Sequence, residues 1–328
     1  MQTGLVSIII PTYNRAHLVA DAIRSVLTQD YPYKQLIIID DGSTDDTRRV
    51  VSSFAEVEYY YQDNQGQAAA RNAGLRRCRG EYIASLDSDD IWDPTFLSSG
   101  LRQMQPEVNL VFMNWQVSNS HNGLEIFFQR AAARRRYFTR AVGDWWHLDA
   151  AQSRRLMLET CPAPSSALII RRSAMPESWN EQMLIADDWC LLLDIVMNQP
   201  TTVLFTMVPH WLKRVHGENI YDGRDYVAVA EELSSHDEPL LLLRYRSQLS
   251  RREVVIFRQR QAEHHVNYAY NSYKVRDKAA LLRHMATAFQ LAPLATGWRI
   301  AHEVLNYGRT YFAKTPIKIP ARRYAPSA

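Results

Sequence analysis

The chain has 328 residues, of which 46% are apolar and 22% are charged. This composition excludes wholesale disorder, because disordered chains carry too little apolar surface to form a core. No stretch approaches the roughly 18 uncharged apolar residues of a membrane span, and the N-terminus lacks the features of a signal peptide, so we expect a cytoplasmic protein. Cys78, Cys161 and Cys190 are widely spaced and predict neither disulfides nor a zinc site.

Charge is unevenly distributed along the chain. Residues 1–100 contain 9 Lys and Arg against 14 Asp and Glu, a net charge of −5. Because the whole chain has a net charge of +3, residues 101–328 carry +8. A basic run is usually a solvated face, and the alternative is contact with an anionic membrane surface or a phosphorylated acceptor. The clusters are Arg130, Arg134, Arg135, Arg136 and Arg140; Arg244, Arg246, Arg251, Arg252, Arg258 and Arg260; and Lys314, Lys318, Arg322 and Arg323.

Short apolar runs alternate with helical periodicities over the first hundred residues. The runs "VSIII", "QLIIID", "VEYYY" and "YIASL" predict four strands, and the segments between them predict helices. Strands that are continuously apolar and separated by helices indicate a parallel sheet covered on both faces. We therefore predict an α/β fold.

After residue 100 the pattern is less regular. Asn122-Gly123, between "NLVFMNWQV" and "LEIFFQ", predicts a hairpin turn. Residues 129–160 give no clear period. "SSALIIRR" and "TTVLF" then predict strands, "DDWCLLLDIVM" predicts a buried helix, and the chain from about Asp225 onward is predicted to be helical. We expect a sheet domain over residues 1–222 and a helical extension over 223–328 that packs on it.

Polar motifs follow three of the predicted strands. Pro11–Asn14 follows the first strand, Asp40–Ser43 the second and Asp87–Asp90 the fourth. Because ligands of such sheets bind at the carboxyl ends of the strands, the three motifs are expected to line one edge of the sheet.

Three carboxylates occur within four positions, at Asp87, Asp89 and Asp90. Like charges this close repel and raise one another's pKa. The cluster is explained either by a bound cation, since Mg²⁺ and Mn²⁺ prefer carboxylate oxygens, or by a turn that water screens.

Several motifs together are similar to the N-terminal half of family 2 glycosyltransferases, which have the GT-A fold. They are "VSIIIPTYNRAHLVADAIRSVLTQDYPYKQLIIIDDGSTDDT", "NQGQAAARNAGL" and "GEYIASLDSDDIWDP", within residues 6–94. "PSSALIIRRSAM", "WNEQMLIADDWCLLLDI" and "KRVHGEN" resemble the acceptor-side segments more thinly. The family's common Gly-Gly-Phe is replaced by Glu177-Ser178-Trp179, and the last ~100 residues match no family pattern.

The resemblance implies a GT-A domain over residues 1–222, with a nucleotide-sugar donor half at 1–100 and an acceptor half at 101–222. It implies an inverting, non-processive transfer of a sugar from a nucleotide diphosphate, with UDP expected, to a hydroxyl of a sugar, a lipid-linked molecule or another acceptor. Glycan, polysaccharide or glycolipid synthesis is the expected setting. No nucleic-acid partner is expected. The basic C-terminal half suggests either an anionic acceptor, such as a lipid-linked phosphate, or peripheral contact with the inner face of a membrane.

A divalent metal, Mn²⁺ or Mg²⁺, follows from the same resemblance, since it stabilises the charge that develops on a diphosphate leaving group. Asp89 is the expected metal ligand, and Asp87 is expected to contact the ribose or metal-bound water. Asp90 is expected to orient the loop. His216 would bind the metal or the diphosphate, and the alternative is a hydrogen-bonded loop histidine.

The remaining donor contacts are implied by matching positions. Asp41 would accept a hydrogen bond from the nucleobase, although a simple capping turn is the alternative. Thr12 and Tyr13 would touch the base, and Pro11 would direct the loop. Arg71 would fork onto diphosphate oxygens, or form only a surface ion pair.

Inversion requires a base that deprotonates the acceptor hydroxyl. Asp188 is the expected base and Asp187 is the second candidate, while the alternative is that both only stabilise the start of a helix. A catalytically silent nucleotide-sugar-binding or assembly partner is the competing function.

Overall fold

The computed structural model describes residues 2–118, 136–217, 219 and 226–301. The predicted turn at Asn122-Gly123 and the basic cluster from Lys314 lie outside the described residues. The chain divides into two compact units after Phe257, whereas the sequence placed a boundary after residue 222.

Among the described residues of the first unit, ten strands form one sheet. In the order β3-β2-β1-β4-β9-β6-β10-β8-β7, each strand pairs with the next, and β5 pairs with β10. The strands are β1 (Gln2–Thr12), β2 (Lys34–Asp41), β3 (Val57–Gln62), β4 (Gly80–Ser85), β5 (Ile91–Trp92), β6 (Val108–Val117), β7 (Ala141–Val142), β8 (Trp145–Leu148), β9 (Leu168–Arg171) and β10 (Thr202–Lys213).

Helices flank this sheet and continue to the end of the described chain. They are α1 (Val19–Leu27), α2 (Thr47–Val51), α3 (Gln67–Leu75), α4 (Phe96–Leu101), α5 (Ala150–Glu159), α6 (Asp187–Asn198), α7 (Tyr226–Glu232), α8 (Glu238–Tyr245), α9 (Arg251–Lys274) and α10 (Lys278–Leu291). A 3₁₀ turn spans Ser165–Ala167, and a π-helical turn spans Leu233–Asp237.

Strands β1 to β4 are parallel, as predicted. Residues 6–12 of β1 and 35–41 of β2 are buried throughout, because both faces of the sheet are covered. In the register, Thr12 pairs with Asp40 and Ile9 pairs with Ser85. The polar residues that follow these strands are therefore brought to one edge of the sheet.

The second part of the sheet is mixed. Strand β9 runs antiparallel to β4 and β6, while β6 and β10 are parallel. The predicted helix "DDWCLLLDIVM" is α6, and "TTVLF" lies in β10. Between residues 136 and 160 the structure adds β7, β8 and α5. No clear period was visible in this part of the sequence, because the two strands are only 2 and 4 residues long.

Helix α3 packs closely on β1. A Cβ atom added at Gly74 would lie 2.5 Å from Cγ2 of Ile9, closer than two carbons can approach. Glycine at this position therefore lets the helix approach the sheet, and so determines how deeply Arg71, one turn earlier, is buried.

The second unit, from Arg258, is helical where described, as predicted. Helix α10 begins after Asp277, whose carboxylate accepts a hydrogen bond from the Ala280 amide at 2.9 Å. A further helical segment covers residues 293–301. Within the described residues, no helix combines the length and the apolar character that crossing a bilayer requires.

Candidate active site

Asp87, Asp89 and Asp90 follow β4 and form a compact group. One carboxylate oxygen of each lies within 4.8 Å of those of the other two. Burial, followed by the charge of Asp87, raises the pKa of Asp89, and the same causes raise the pKa of the almost fully buried Asp90 well above its usual value. The cluster therefore holds more negative charge than its surroundings compensate.

A second loop brings nitrogen donors to Asp89. His216 Nε2 lies 3.0 Å from Asp89 Oδ2, and Asn219 Nδ2 lies 3.3 Å from the same oxygen. Arg214 donates to the Asp89 carbonyl and to Asp21, whose Oδ2 is 3.0 Å away. Hence the loop after β10 closes over the loop after β4, which brings His216 to the predicted ligand Asp89.

These residues fit a divalent cation. Partly buried carboxylate oxygens that lie within 4.8 Å of one another are a donor set that Mg²⁺ or Mn²⁺ prefers. Asp89 Oδ2 and His216 Nε2 lie 3.0 Å apart, so both can reach one ion. Asp90 is 2% exposed and accepts a hydrogen bond from Ser166 at 2.9 Å, which suits its expected role in orienting the loop.

Arg71 lies completely buried between two acidic motifs. Its Nη2 donates to Asp87 at 2.6 Å and its Nη1 to Asp187 at 2.5 Å, while Asp188 Oδ1 is 3.7 Å from Nη1. The alternative of a surface ion pair is therefore wrong. Contact with a diphosphate stays a prediction, and the carboxylates are its partners in this structure.

Asp187 shares this buried environment. Its carboxylate also accepts hydrogen bonds from Gln67 Nε2 at 3.1 and 3.2 Å. Burial and the neighbouring Asp188 raise the pKa of Asp187 to about 7, although Arg71 acts in the opposite direction. One guanidinium thus faces three carboxylates, and burial keeps the pKa of Asp187 above its ordinary value despite that cation.

Asp188 is the more accessible member of the pair. Its side chain is 17% exposed, against 4% for Asp187. Ser165 holds it from the neighbouring 3₁₀ turn, because the Ser165 amide donates to Oδ2 at 3.0 Å and the hydroxyl donates to Oδ1. A base must reach its substrate, so exposure favours Asp188 over Asp187.

Asp41 organises the start of α3. Its oxygens accept hydrogen bonds from the amides of Gln65 at 3.0 Å and Gly66 at 2.7 Å, and from Gln62 Nε2 at 2.7 Å. A contact between Asp41 and a nucleobase would therefore add to a network that already exists. Asp40 holds the turn, since it accepts hydrogen bonds from the Ser43 amide and Tyr59 hydroxyl.

The end of β1, at Pro11 and Thr12, is followed by an exposed aromatic ring. Pro11 and Thr12 are buried, and Tyr13 is 46% exposed. Thr12 Oγ1 has no hydrogen-bond partner in the described residues. Tyr13 is therefore placed where a planar base could stack on it.

Sequence reasoning missed five residues that hold this site together. The only indication of them in the sequence is that they lie within three motifs that were singled out for other residues: "NQGQAAARNAGL", "PSSAL" and "KRVHGEN". They are Gln67, Ser165, Ser166, Arg214 and Asn219.

Replacing Arg71 with Met is expected to lower the free energy of unfolding by about 3–5 kcal/mol, because Asp187 would remain buried without its cation. The measurement is urea unfolding. Arg76→Met is the matched control, since Arg76 is exposed at the end of the same helix, and a change within about 0.5 kcal/mol is expected there. Equal losses in both variants would contradict the buried network.

A family model described as glycosyl transferase family 2 matches residues 7–175, just over half of the chain. The chain therefore belongs to glycosyltransferase family 2.

A UDP-Glc:α-D-GlcNAc-diphosphoundecaprenol β-1,3-glucosyltransferase of Escherichia coli, WfgD, is 36% identical over 126 residues. That match covers 37% of this chain and 50% of WfgD. Across eight curated relatives, the matched segment spans from 16% to 50% of their length.

Solved structures of other glycosyltransferases share the fold. TarS 1–349 of S. aureus, in complex with UDP-GlcNAc, has a TM-score of 0.63 at 16% identity, covering 88% of this chain and 82% of that one. The mannosyltransferase PcManGT of Pyrobaculum calidifontis, in complex with GDP-Man and Mn²⁺, has a TM-score of 0.56 at 18% identity, covering 93% and 82%. These likenesses confirm the predicted GT-A fold with its helical C-terminal region.

Proposed function

We propose that the protein is a metal-dependent, inverting and non-processive glycosyltransferase that moves a sugar from a nucleotide diphosphate donor to a hydroxyl acceptor. The observation that carries this proposal is the buried Arg71, which joins Asp87 of the metal-binding motif to Asp187, the neighbour of the base. Leaving-group and acceptor chemistry must occur on opposite sides of one sugar carbon, and this bridge fixes the two acidic motifs relative to each other.

Asp89 and His216 are the proposed metal-binding residues, with Asp87 beside them. When bound, Mn²⁺ or Mg²⁺ would neutralise charge on the diphosphate leaving group. Pro11, Thr12, Tyr13 and Asp41 line the proposed nucleobase end.

Asp188 removes the proton from the acceptor hydroxyl in this proposal. Its Oδ1 and Oδ2 accept hydrogen bonds from Ser165, which hold the carboxylate in place. As the acceptor oxygen attacks the sugar carbon, its proton passes to Asp188 while the bond to the diphosphate breaks. Asp187, which is buried against Arg71, serves in this proposal to position its neighbour.

UDP is the proposed nucleotide, and a lipid-linked glycan is one proposed acceptor class. The names of two similar proteins support this choice, because WfgD uses UDP-Glc and a diphosphoundecaprenol acceptor and TarS was solved with UDP-GlcNAc. We propose that residues 1–100 hold the donor and that residues 101–222 hold the acceptor.

We also propose contact between the second unit and an anionic membrane surface. Residues 258–301 contain seven Lys and Arg against two Asp and Glu. Leu282, Phe289 and Leu294 are exposed by 69%, 43% and 89%. Exposed apolar side chains among basic ones suit the interface of an anionic bilayer.

Cosedimentation with vesicles tests this contact. Binding to phosphatidylglycerol vesicles is expected to exceed binding to phosphatidylcholine vesicles and to weaken as salt rises, because salt screens exposed charges. Leu282→Asp is expected to weaken binding, whereas Leu184→Asp, an exposed leucine of the first unit, serves as the control. Binding that is absent or unaffected by salt would overturn the contact.

The catalytic proposal is tested by titrating UDP, GDP and dTDP into the protein with Mn²⁺ and with chelator, followed by assays of the matching nucleotide sugars. Metal-dependent binding of one nucleotide, together with slow hydrolysis of its sugar without acceptor, is expected. Binding without hydrolysis or transfer would favour the catalytically silent partner instead.

A further inference from the structure

The helix that carries the proposed base begins without a cap of its own. Helix α6 starts at Asp187, and the preceding residue, Ala186, offers no side-chain acceptor to the first turn. Amides at a helix start need partners from elsewhere, because no carbonyl of the helix reaches them. The backbone that leads into α6 must therefore be held by another part of the protein.

A carboxylate from a part of the first unit that is distant in sequence holds this backbone. Asp237 Oδ1 accepts a hydrogen bond from the Leu184 amide at 3.0 Å, and Oδ2 accepts from the amides of Ile185 and Ala186 at 2.9 and 2.8 Å. His236 Nδ1 lies 2.8 Å from Oδ1. The Asp237 side chain is completely buried.

The side chain of Asp237 bonds to another segment rather than to the helix that follows it. Asp237 ends the π-helical turn with helical backbone angles, φ −70° and ψ −46°, and its side chain makes no capping bond to α8. It instead binds three successive amides of another segment. Convergent amides form a good anion site, and hydrogen bonds to a charged acceptor are stronger than neutral ones.

We propose that Asp237 is a positioning residue for the transfer reaction, because its carboxylate fixes residues 184–186 and thereby sets where Asp188 stands relative to Ser165 and Arg71. This inference rests on the proposed function in one respect, the role of Asp188 as the base. Asp237 acts by fixing the position of Asp188 and does not itself contact the substrate. A displacement of the base by about 1 Å can lower the reaction rate roughly 100-fold.

The same pair of helices has a second tie that provides a matched control. Asp194, near the middle of α6, accepts hydrogen bonds from Tyr245 at 2.8 Å and from Arg244 at 3.0 and 3.1 Å. Tyr245→Phe removes a buried hydrogen bond between α6 and α8 without touching the start of α6. A merely structural role for Asp237 would give both variants the same phenotype.

The experiment compares Asp237→Asn with Tyr245→Phe in the full chain. Asparagine keeps one acceptor oxygen but loses the charge and places an amide group against the amides of 184–186. We expect kcat to fall about 10–100-fold in Asp237→Asn, with UDP affinity within about twofold, and amide hydrogen exchange to accelerate at Leu184, Ile185 and Ala186. Tyr245→Phe should lower the melting temperature while kcat stays within about twofold.

Equal losses of kcat in the two variants, or an unchanged kcat in Asp237→Asn, would overturn the proposal. If Asp237→Asn does not fold, Asp237→Ser, which is smaller and brings no opposing amide, is judged by the same criteria. If the unsubstituted protein transfers no sugar from any donor, the proposed function fails. Amide hydrogen exchange at residues 184–186 then still tests the contact with Asp237: faster exchange in Asp237→Asn supports it, and unchanged exchange overturns it.

Discussion

Asp188→Asn is expected to reduce sugar transfer by about 10²–10⁴-fold, the range that a general base contributes, while nucleotide affinity changes by less than about twofold. Asparagine keeps a side-chain oxygen for the Ser165 amide, which lies 3.0 Å from Oδ2, so the loop should keep its structure. It cannot take the acceptor proton. Transfer is measured at saturating donor, and affinity by calorimetric titration of UDP with Mn²⁺.

Asp194→Asn is the matched control for this variant. It makes the same substitution on the same helix, at a carboxylate held by Arg244 and Tyr245 rather than facing the site. We expect lower stability with transfer largely retained. Unchanged turnover in Asp188→Asn would contradict the assignment and move the base to Asp187.

Asp89→Ala is expected to weaken metal-dependent nucleotide binding by more than about 100-fold, because it removes the carboxylate that His216 and Asn219 surround. The fold should persist. Removing one of three clustered like charges relieves repulsion, although His216 loses a partner. The measurement is titration of UDP with Mn²⁺ and with chelator, accompanied by thermal unfolding.

Asp63→Ala controls for the loss of a negative charge near the same sheet edge, since Asp63 is exposed in the loop between β3 and α3. Its nucleotide binding should match that of the unsubstituted protein. If Asp89→Ala bound UDP as tightly as the unsubstituted protein did, with the same metal dependence, the metal assignment would be refuted.

Much of the fold follows from local patterns in the sequence. The strands β1 to β4 and the helix α6 were predicted because each is a continuous apolar or helical run that does not depend on distant residues. The meeting of Thr12 with Asp40 at one edge followed from the rule for parallel sheets. The strands of the mixed half of the sheet were harder to predict from the sequence, because β7 has only 2 residues and β8 only 4, which is too short to show a periodic pattern.

The sequence by itself determined the family, the sheet edge that carries the polar motifs, and the acidic residues of the candidate site. Only the tertiary structure decided which residues pair. Arg71 contacts Asp187, which is 116 residues away in the sequence, and Asp237 contacts Leu184, which is 53 residues away. The physical reason is that motifs and periods are local properties of a chain. The partner of a buried charge is instead set by which helices pack together, because a carboxylate or guanidinium removed from water must find its counterpart among whatever packing brings near.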